Sequence, residues 1–246
     1  MTISNNLNIN DDGLQDFDAT TGDFTAIALT TKGDLLGFDG TDYQRFPVGT
    51  DGYILKADSS ETLGWRWACT NFEFLDSATA SSSSSIEFNN FADSDCFAGY
   101  KLVWKNVRFS GGNVDLNLRF SIDNGSTWLS TGYKYVRNTV RDDTADEVFP
   151  NDASATYIQL NAHTGDSASR IIHNGEGFFY PGANPGTTLQ NSFVYTSSGV
   201  SNNSQFITSR GFGINSTTSQ VDGFQFRKNS GSIVSGTFYL YGVLQE

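Results

Sequence analysis

Two histidines, His163 and His173, with Asp166 between them, are the side chains of this sequence best suited to ligating a transition metal or moving protons. A zinc site needs three or four convergent ligands at workable spacing, often with a cysteine or a third histidine, and nothing nearby completes such a set. Exposed loop histidines and no metal are expected. The acidic knot of Asp142, Asp143, Asp146 and Glu147 offers the hard oxygens that Ca²⁺ takes, but it lacks the glycine and spacing of a calcium loop, so a solvated loop is expected. Cys69 and Cys96 are too few for a disulfide framework and have no CxxC spacing, which makes buried free thiols the default. Glycan hydrolysis would need two carboxylates flanking the bond at a set separation, and no local pattern nominates a pair. There is no G-x-S-x-G elbow, and no motif ties either histidine to a nucleophile. The expectation is a non-enzymatic chain with no catalytic residue and no cofactor.

One further pattern invites an enzymatic reading. Ser121-Ile122-Asp123-Asn124-Gly125-Ser126-Thr127-Trp128 fits S-x-D-x-G-x-T-W and resembles the Asp-box of sialidase propellers. The resemblance implies a turn whose Asp accepts backbone bonds while the aromatic packs inward, not an active site. A propeller would repeat the box from blade to blade, whereas here it occurs once. Aromatic residues are abundant, with 20 Phe, 10 Tyr and 4 Trp. Flat rings beside polar groups suit sugars, and Phe179, Tyr180 and Tyr195 are the candidate glycan-facing residues, although core packing claims most aromatic side chains.

The elements that would position these residues are strands. Much Gly, Ser, Thr, Asn, Phe and Tyr, with little Leu, Met and Lys, is the composition of strands joined by tight turns. Leu116, Leu118, Phe120 and Ile122 alternate with Asn117, Arg119 and Ser121, which predicts a strand with one wet face and one buried face. Heavier strands are expected over 100–109, around Phe224-Gln225-Phe226 and over 237–244. The serine run 81–85 reads as a loop between two strands, and 139–148 as an acidic loop. At 246 residues the chain can bury roughly 70% of its unfolded surface.

The net charge is −12, and residues 1–68 hold eleven acidic side chains against four basic ones, leaving −7 there and −5 in the rest. Phosphate backbones would repel such a chain, so nucleic acid is not an expected partner. The start MTISNNLNINDD has neither the positive flank nor the apolar stretch of a signal peptide, and no apolar run reaches the ~20 residues of a membrane span. Cytoplasmic synthesis without membrane insertion is expected.

Three segments follow from the apolar pattern. Residues 1–29 are polar and acidic with scattered apolar side chains, including Phe17, Phe24 and Ile27, and read as an extended anchor arm that orders on a partner. Residues 30–68 carry short apolar pieces split by Asp39-Gly40 and Asp51-Gly52, a pattern of small hairpins. So small a unit has little core, and Phe46, Trp65 and Trp67 would need neighbouring chains or the next domain to cover them. Leu35 and Leu36 join them as expected assembly contacts. Residues 69–246 suit one β-sandwich of the jelly-roll kind.

The wording of the second segment resembles virion proteins of tailed bacteriophages. It is carried by Lys32-Gly33-Asp34-Leu35-Leu36, by Arg45-Phe46-Pro47-Val48-Gly49-Thr50-Asp51-Gly52, and by Gly64 before Trp67-Ala68. The third segment is similar to a distal domain of phage tail and appendage proteins, through residues 100–107, 118–128 and 132–135 and the closing 233–243, IVSGTFYLYGV. The resemblance implies a virion surface protein, assembled in the host cytoplasm and most simply a homotrimer. Its arm would dock on the major capsid protein or on a tail or adaptor protein, and its sandwich would face outward. A capsid decoration or cement protein, or short head fibre, is the first expectation; a tail fibre tip or receptor-binding protein contacting host glycans is the second.

Overall fold

The computed structural model of the chain describes residues 8–10, 13–18, 23–26, 29–68, 72–91, 97–111, 115–142, 151–161, 172–182, 190–200 and 206–244, with the backbone alone up to residue 26. The chain divides into two compact units, Met1–Thr70 and Asn71–Glu246. Every described regular element is a strand, and every strand pair is antiparallel.

In the first unit, β1 (Asn8–Asn10), β2 (Gly13–Asp18) and β3 (Asp23–Ala26) form a three-stranded meander within the segment expected to be an extended arm. Phe17 stands opposite Phe24 in its register; Ile27 lies outside the described residues. Two hairpins follow: β4 (Leu35–Phe38) with β5 (Tyr43–Phe46), and β6 (Ile54–Ala57) with β7 (Trp65–Ala68).

The second unit is a β-sandwich of unequal sheets, built from β8 (Phe72–Ser83), β9 (Ser85–Asn89), β10 (Phe97–Phe109), β11 (Leu116–Ser121), β12 (Tyr133–Arg141), β13 (Asn151–Ala155), β14 (Ile158–Gln159), β15 (His173–Tyr180), β16 (Asn191–Val200), β17 (Phe206–Asn215), β18 (Gly223–Lys228) and β19 (Ile233–Leu244). The wide sheet has the order β13-β12-β17-β16-β15-β10-β19-β8, and the narrow one β14-β11-β18-β9. Rings from the two sheets meet between them. Phe179 lies 5.1 Å from Phe120 and 5.0 Å from Phe224, Trp104 lies 5.7 Å from Phe226, and Phe226 lies 4.9 Å from Phe238. Each such ring is fully or almost fully buried, a burial that stabilises by roughly 1.5–3 kcal/mol per Phe.

Side-chain hydroxyls tie the sheets as well. The Phe120 N–H donates to the Tyr133 hydroxyl at 2.7 Å, Tyr195 donates to the Gln159 carbonyl, and Ser197 donates to the Leu160 carbonyl at 2.6 Å. Burial pushes the Tyr133 and Tyr195 hydroxyls well above the usual phenol range.

Several sequence expectations change here. The strand at 116–121 has less of a wet face than the alternation implies: Asn117 and Ser121 are fully buried and Arg119 is half-buried. Ser81–Ser83 continue β8 at the sheet edge, so the chain passes to β9 at Ser84 without a long loop. Thr139–Arg141 complete β12, while 143–148 lie outside the described residues, as do Cys69, Cys96, His163 and Asp166. His173 is not an exposed loop residue. It opens β15, is 2% exposed, packs 5.3 Å from Phe109, and leaves its Nε2 without a partner.

Burial lowers the His173 imidazole from 6.5 to about 4. The unfolded chain takes up this proton near 6.5 and the folded chain near 4, so between these values the unfolded state binds more protons and stability falls as pH drops. Urea unfolding followed between about pH 7 and pH 4 should show this loss. His173→Leu should remove on the order of 2 kcal/mol of that pH dependence, and an identical profile in the variant would show that the ring does not titrate as described.

Candidate functional site

Two surfaces combine distinctive residues with defined geometry: the hairpin module of 29–68, and the outward face of the wide sheet. In the module, Asp34 is the hub. Its carboxylate accepts from the backbone N–H groups of Thr30, Thr31 and Val48 at 3.0, 2.8 and 3.0 Å, and Arg45 Nε donates to it at 2.7 Å. The Arg45 contact is the main reason its carboxyl is held down at about 2, against the opposing effect of burial.

The second hairpin is tied in through Trp67. Its indole Nε1 donates to the Pro47 carbonyl at 2.7 Å, and its ring stacks on Phe46 at 5.5 Å and 20°. This approach requires glycine at 49, where a Cβ would lie 2.5 Å from the Trp67 ring. Trp65 sits 6.1 Å from Phe46 as well, its ring tilted at 59°. Phe46, Trp65 and Trp67, together with Leu35 and Leu36, are half-buried, Phe46 packing against both tryptophans. The large apolar side chains left exposed are Leu29, Phe38, Val48, Ile54 and Leu55, of which the last two are 48% and 42% exposed. Sequence reasoning missed them as contacts, although adjacent Ile and Leu in one strand of a hairpin must point to opposite faces.

On the sandwich, strand alternation places Phe178 and Tyr180 outward and Phe179 inward. Of the three candidate glycan-facing residues only Tyr180 fits, at 48% exposure. Phe179 and Tyr195 are corrected to core residues, 1% and 2% exposed, the first wedged between Phe120 and Phe224 and the second with its hydroxyl committed to Gln159.

The outward face is organised in bands set by register. An apolar band crosses seven strands, Val136–Phe212–Val194–Phe178–Lys101–Tyr241–Phe74. At its centre the Lys101 ammonium lies 5.2 Å above Phe178 and 5.5 Å above Phe72, and pairs with Glu176 at 2.8 Å. Beside it runs a polar band, Asn138–Arg210–Thr196–Glu176–Val103–Tyr239, and then Thr208–Ser198–Asn174. The polar bands line an open hollow of about 400 Å³.

A bulge in β10 shapes the rim of this hollow. The register with β15 slips between Trp104 and Val107, and Asn106 takes a left-handed φ of 55°. The Asn174 carboxamide oxygen accepts the freed Asn106 N–H at 2.8 Å. Lys105 shares the outward phase of Lys101 and Val103, with its ammonium 5.4 Å above the Tyr239 ring at the hollow, and the bulge that follows returns Val107 to the core.

The Asp-box segment is a corner between sheets. Asp123 accepts from the Thr127 N–H at 2.8 Å and the Thr127 hydroxyl at 2.7 Å, and the turn joins β11 of the narrow sheet to β12 of the wide one. Among the described residues no three His, Cys, Asp or Glu side chains converge on one point, and no helix is long and apolar enough to cross a membrane. No family model and no curated protein matches this chain.

The clasp in the hairpin module yields a direct test. Gly49→Val should drive Trp67 off Phe46, so that hydrogen exchange in β5 to β7 accelerates on the order of tenfold or more. Exchange in β10, β15 and β19 should stay as in the wild type. Unchanged protection of β5 to β7 would show that Trp67 does not hold the hairpins together.

Proposed function

We propose that this chain is a non-enzymatic structural protein on the surface of a tailed-phage virion, most simply a homotrimer. Its N-terminal region docks to the particle and its sandwich faces outward. A capsid decoration or cement protein, or a short head fibre, is the form this takes. The observation that carries the reading is that the residues of the phage-like phrase are those that build the clasped hairpins: Asp34 with Arg45, Gly49 with Trp67, and Pro47 with the indole N–H. The phrase therefore encodes a small connector, and that connector leaves Phe38, Val48, Ile54 and Leu55 for other subunits to cover. An apolar surface of this kind, on a unit with so little core, suits permanent assembly.

The acidic, apolar-dotted residues 1–29 supply the docking segment, with the major capsid protein or a tail or adaptor protein as its receptor. A tail fibre tip is the second reading, favoured by the hollow and exposed rings of the wide sheet.

Deleting residues 2–29 should leave a soluble, folded sandwich that no longer joins particles. A truncated protein that still decorates virions would end the docking idea. Quantifying the protein on purified particles separates the two positions: a copy number comparable with that of the major capsid protein supports decoration, and a few trimers per virion support the tail.

A further inference from the structure

We propose that the hollow on the outward face of the wide sheet binds an anionic oligosaccharide. Six side chains line it with groups of the right kind: Lys105, Asn174, Glu176, Thr196, Ser198 and Thr208. Hydroxyls and a carboxamide at adjacent register positions match the closely spaced donors and acceptors of a sugar ring. The hollow is also flanked by rings. Tyr239 stands opposite Val103 in register and under the Lys105 ammonium, while Phe178 lies beyond Glu176 on the same strand face. Tyr239 and Tyr241 are stacked at 6.4 Å and 26°, and Phe178 and Tyr180 at 6.4 Å and 19°, so each pair presents nearly parallel rings to one side of the polar bands. An apolar ring face beside hydroxyl-bonding groups is what a pyranose covers with its own apolar face.

The charge of the ligand follows from the cations. The bands around the hollow carry Lys101, Lys105 and Arg210, with Glu176 as their carboxylate, and Glu176 is already paired with Lys101 at 2.8 Å. Among the described residues no carboxylate pairs with Lys105 or Arg210. In a chain of net charge −12, such a local excess of positive charge matches a carboxylate or phosphate on the ligand. Strand alternation puts Lys105 on the same face as Lys101 and Val103, and the bulge just after it sets Asn174 at the hollow, its carboxamide oxygen accepting the left-handed Asn106 N–H at 2.8 Å. The proposal is independent of where on a particle the chain sits.

The test uses the full chain with trigalacturonate as the carboxylated probe, mannose phosphate as the phosphorylated one and maltotriose as the neutral control, read by saturation-transfer NMR and titration calorimetry. At least one anionic probe should bind, more weakly as salt is raised, with maltotriose weaker or silent. Lys105→Gln should weaken binding about tenfold or more, and Thr196→Val several-fold. Both side chains sit on the exposed face, so the fold should survive, and Lys134→Gln at the far end of the same face should leave binding unchanged. Which anionic probe binds distinguishes carboxylated from phosphorylated sugars. The proposal is overturned by silence of all three probes or by equal affinity for maltotriose. It is equally overturned if the Lys105 and Thr196 variants change the oligomeric state in place of sugar binding, which would assign the hollow to a protein contact.

Discussion

The packing of Phe179 against Phe120 and Phe224 is the contact on which the sandwich arrangement turns. It joins β15 near the middle of the wide sheet to β11 and β18 in the middle of the narrow one. Once Phe179 points inward, period-two alternation puts Phe178 and Tyr180 outward, and the antiparallel register passes that choice to both neighbours. Phe193 faces Phe179 across the ladder and Gly177 faces Tyr195. The fit is tight enough to need glycine: a Cβ at Gly177 would lie 2.2 Å from the Phe193 ring, and one at Gly211 2.3 Å from the Tyr195 ring. A slip of one residue would bury Phe178, Val194 and Lys101 while expelling Phe179, Phe193 and Leu102. The bands on the outside are thus a consequence of packing on the inside.

The hairpin module solves a different problem. Four strands of four residues cannot enclose a core, and the module substitutes a carboxylate hub and an indole clasp. Asp34 gathers three backbone N–H groups and a guanidinium, so a segment with little to bury still satisfies the backbone donors around this carboxylate. Trp67 then bonds through its N–H and stacks through its ring, joining hairpins that share no ladder. Such a unit keeps its shape without hiding its apolar residues, which leaves Ile54 and Leu55 for association.

Alternation and turn residues made the strands legible: β10, β11, β18 and β19 lie where apolar periodicity and glycine punctuation put them. What could not be read was coverage. Asn117 and Ser121 occupy the polar phase of an alternating strand, and only the tertiary structure buries that phase too. His173 looks like any loop histidine until β15 is seen to begin there, under Gly199, where a Cβ would meet its Nδ1 at 2.5 Å. The cluster 178–180 was visible as aromatic, but its phase was not. One residue of uncertainty in strand phase exchanges core for surface, which is why Tyr180 faces solvent and Phe179 and Tyr195 do not. The hollow was invisible for a further reason, since Lys105, Asn174, Thr196 and Thr208 are distant in sequence and meet only through the order β10-β15-β16-β17.

That order also bears on how an acidic chain can carry a cationic patch. Uniform negative charge keeps copies apart in solution, but it would also repel an anionic ligand at long range. Lys101 and Lys105 are separated by four residues on a strand whose rise is about 3.3 Å per residue, so their Cα atoms are about 13 Å apart and a ligand lying between them is within about one Debye length of each at physiological salt. At that spacing they act together on a ligand in the hollow while being screened from more distant carboxylates. Glu176 tempers the pair without cancelling it, because its bond to Lys101 leaves the Lys105 ammonium held only over the Tyr239 ring. The ring's negative face attracts the ammonium, so Lys105 meets an incoming carboxylate or phosphate from a defined place beside the hollow. Local placement therefore decides the sign of the charge a ligand encounters at this face, even where net charge points the other way.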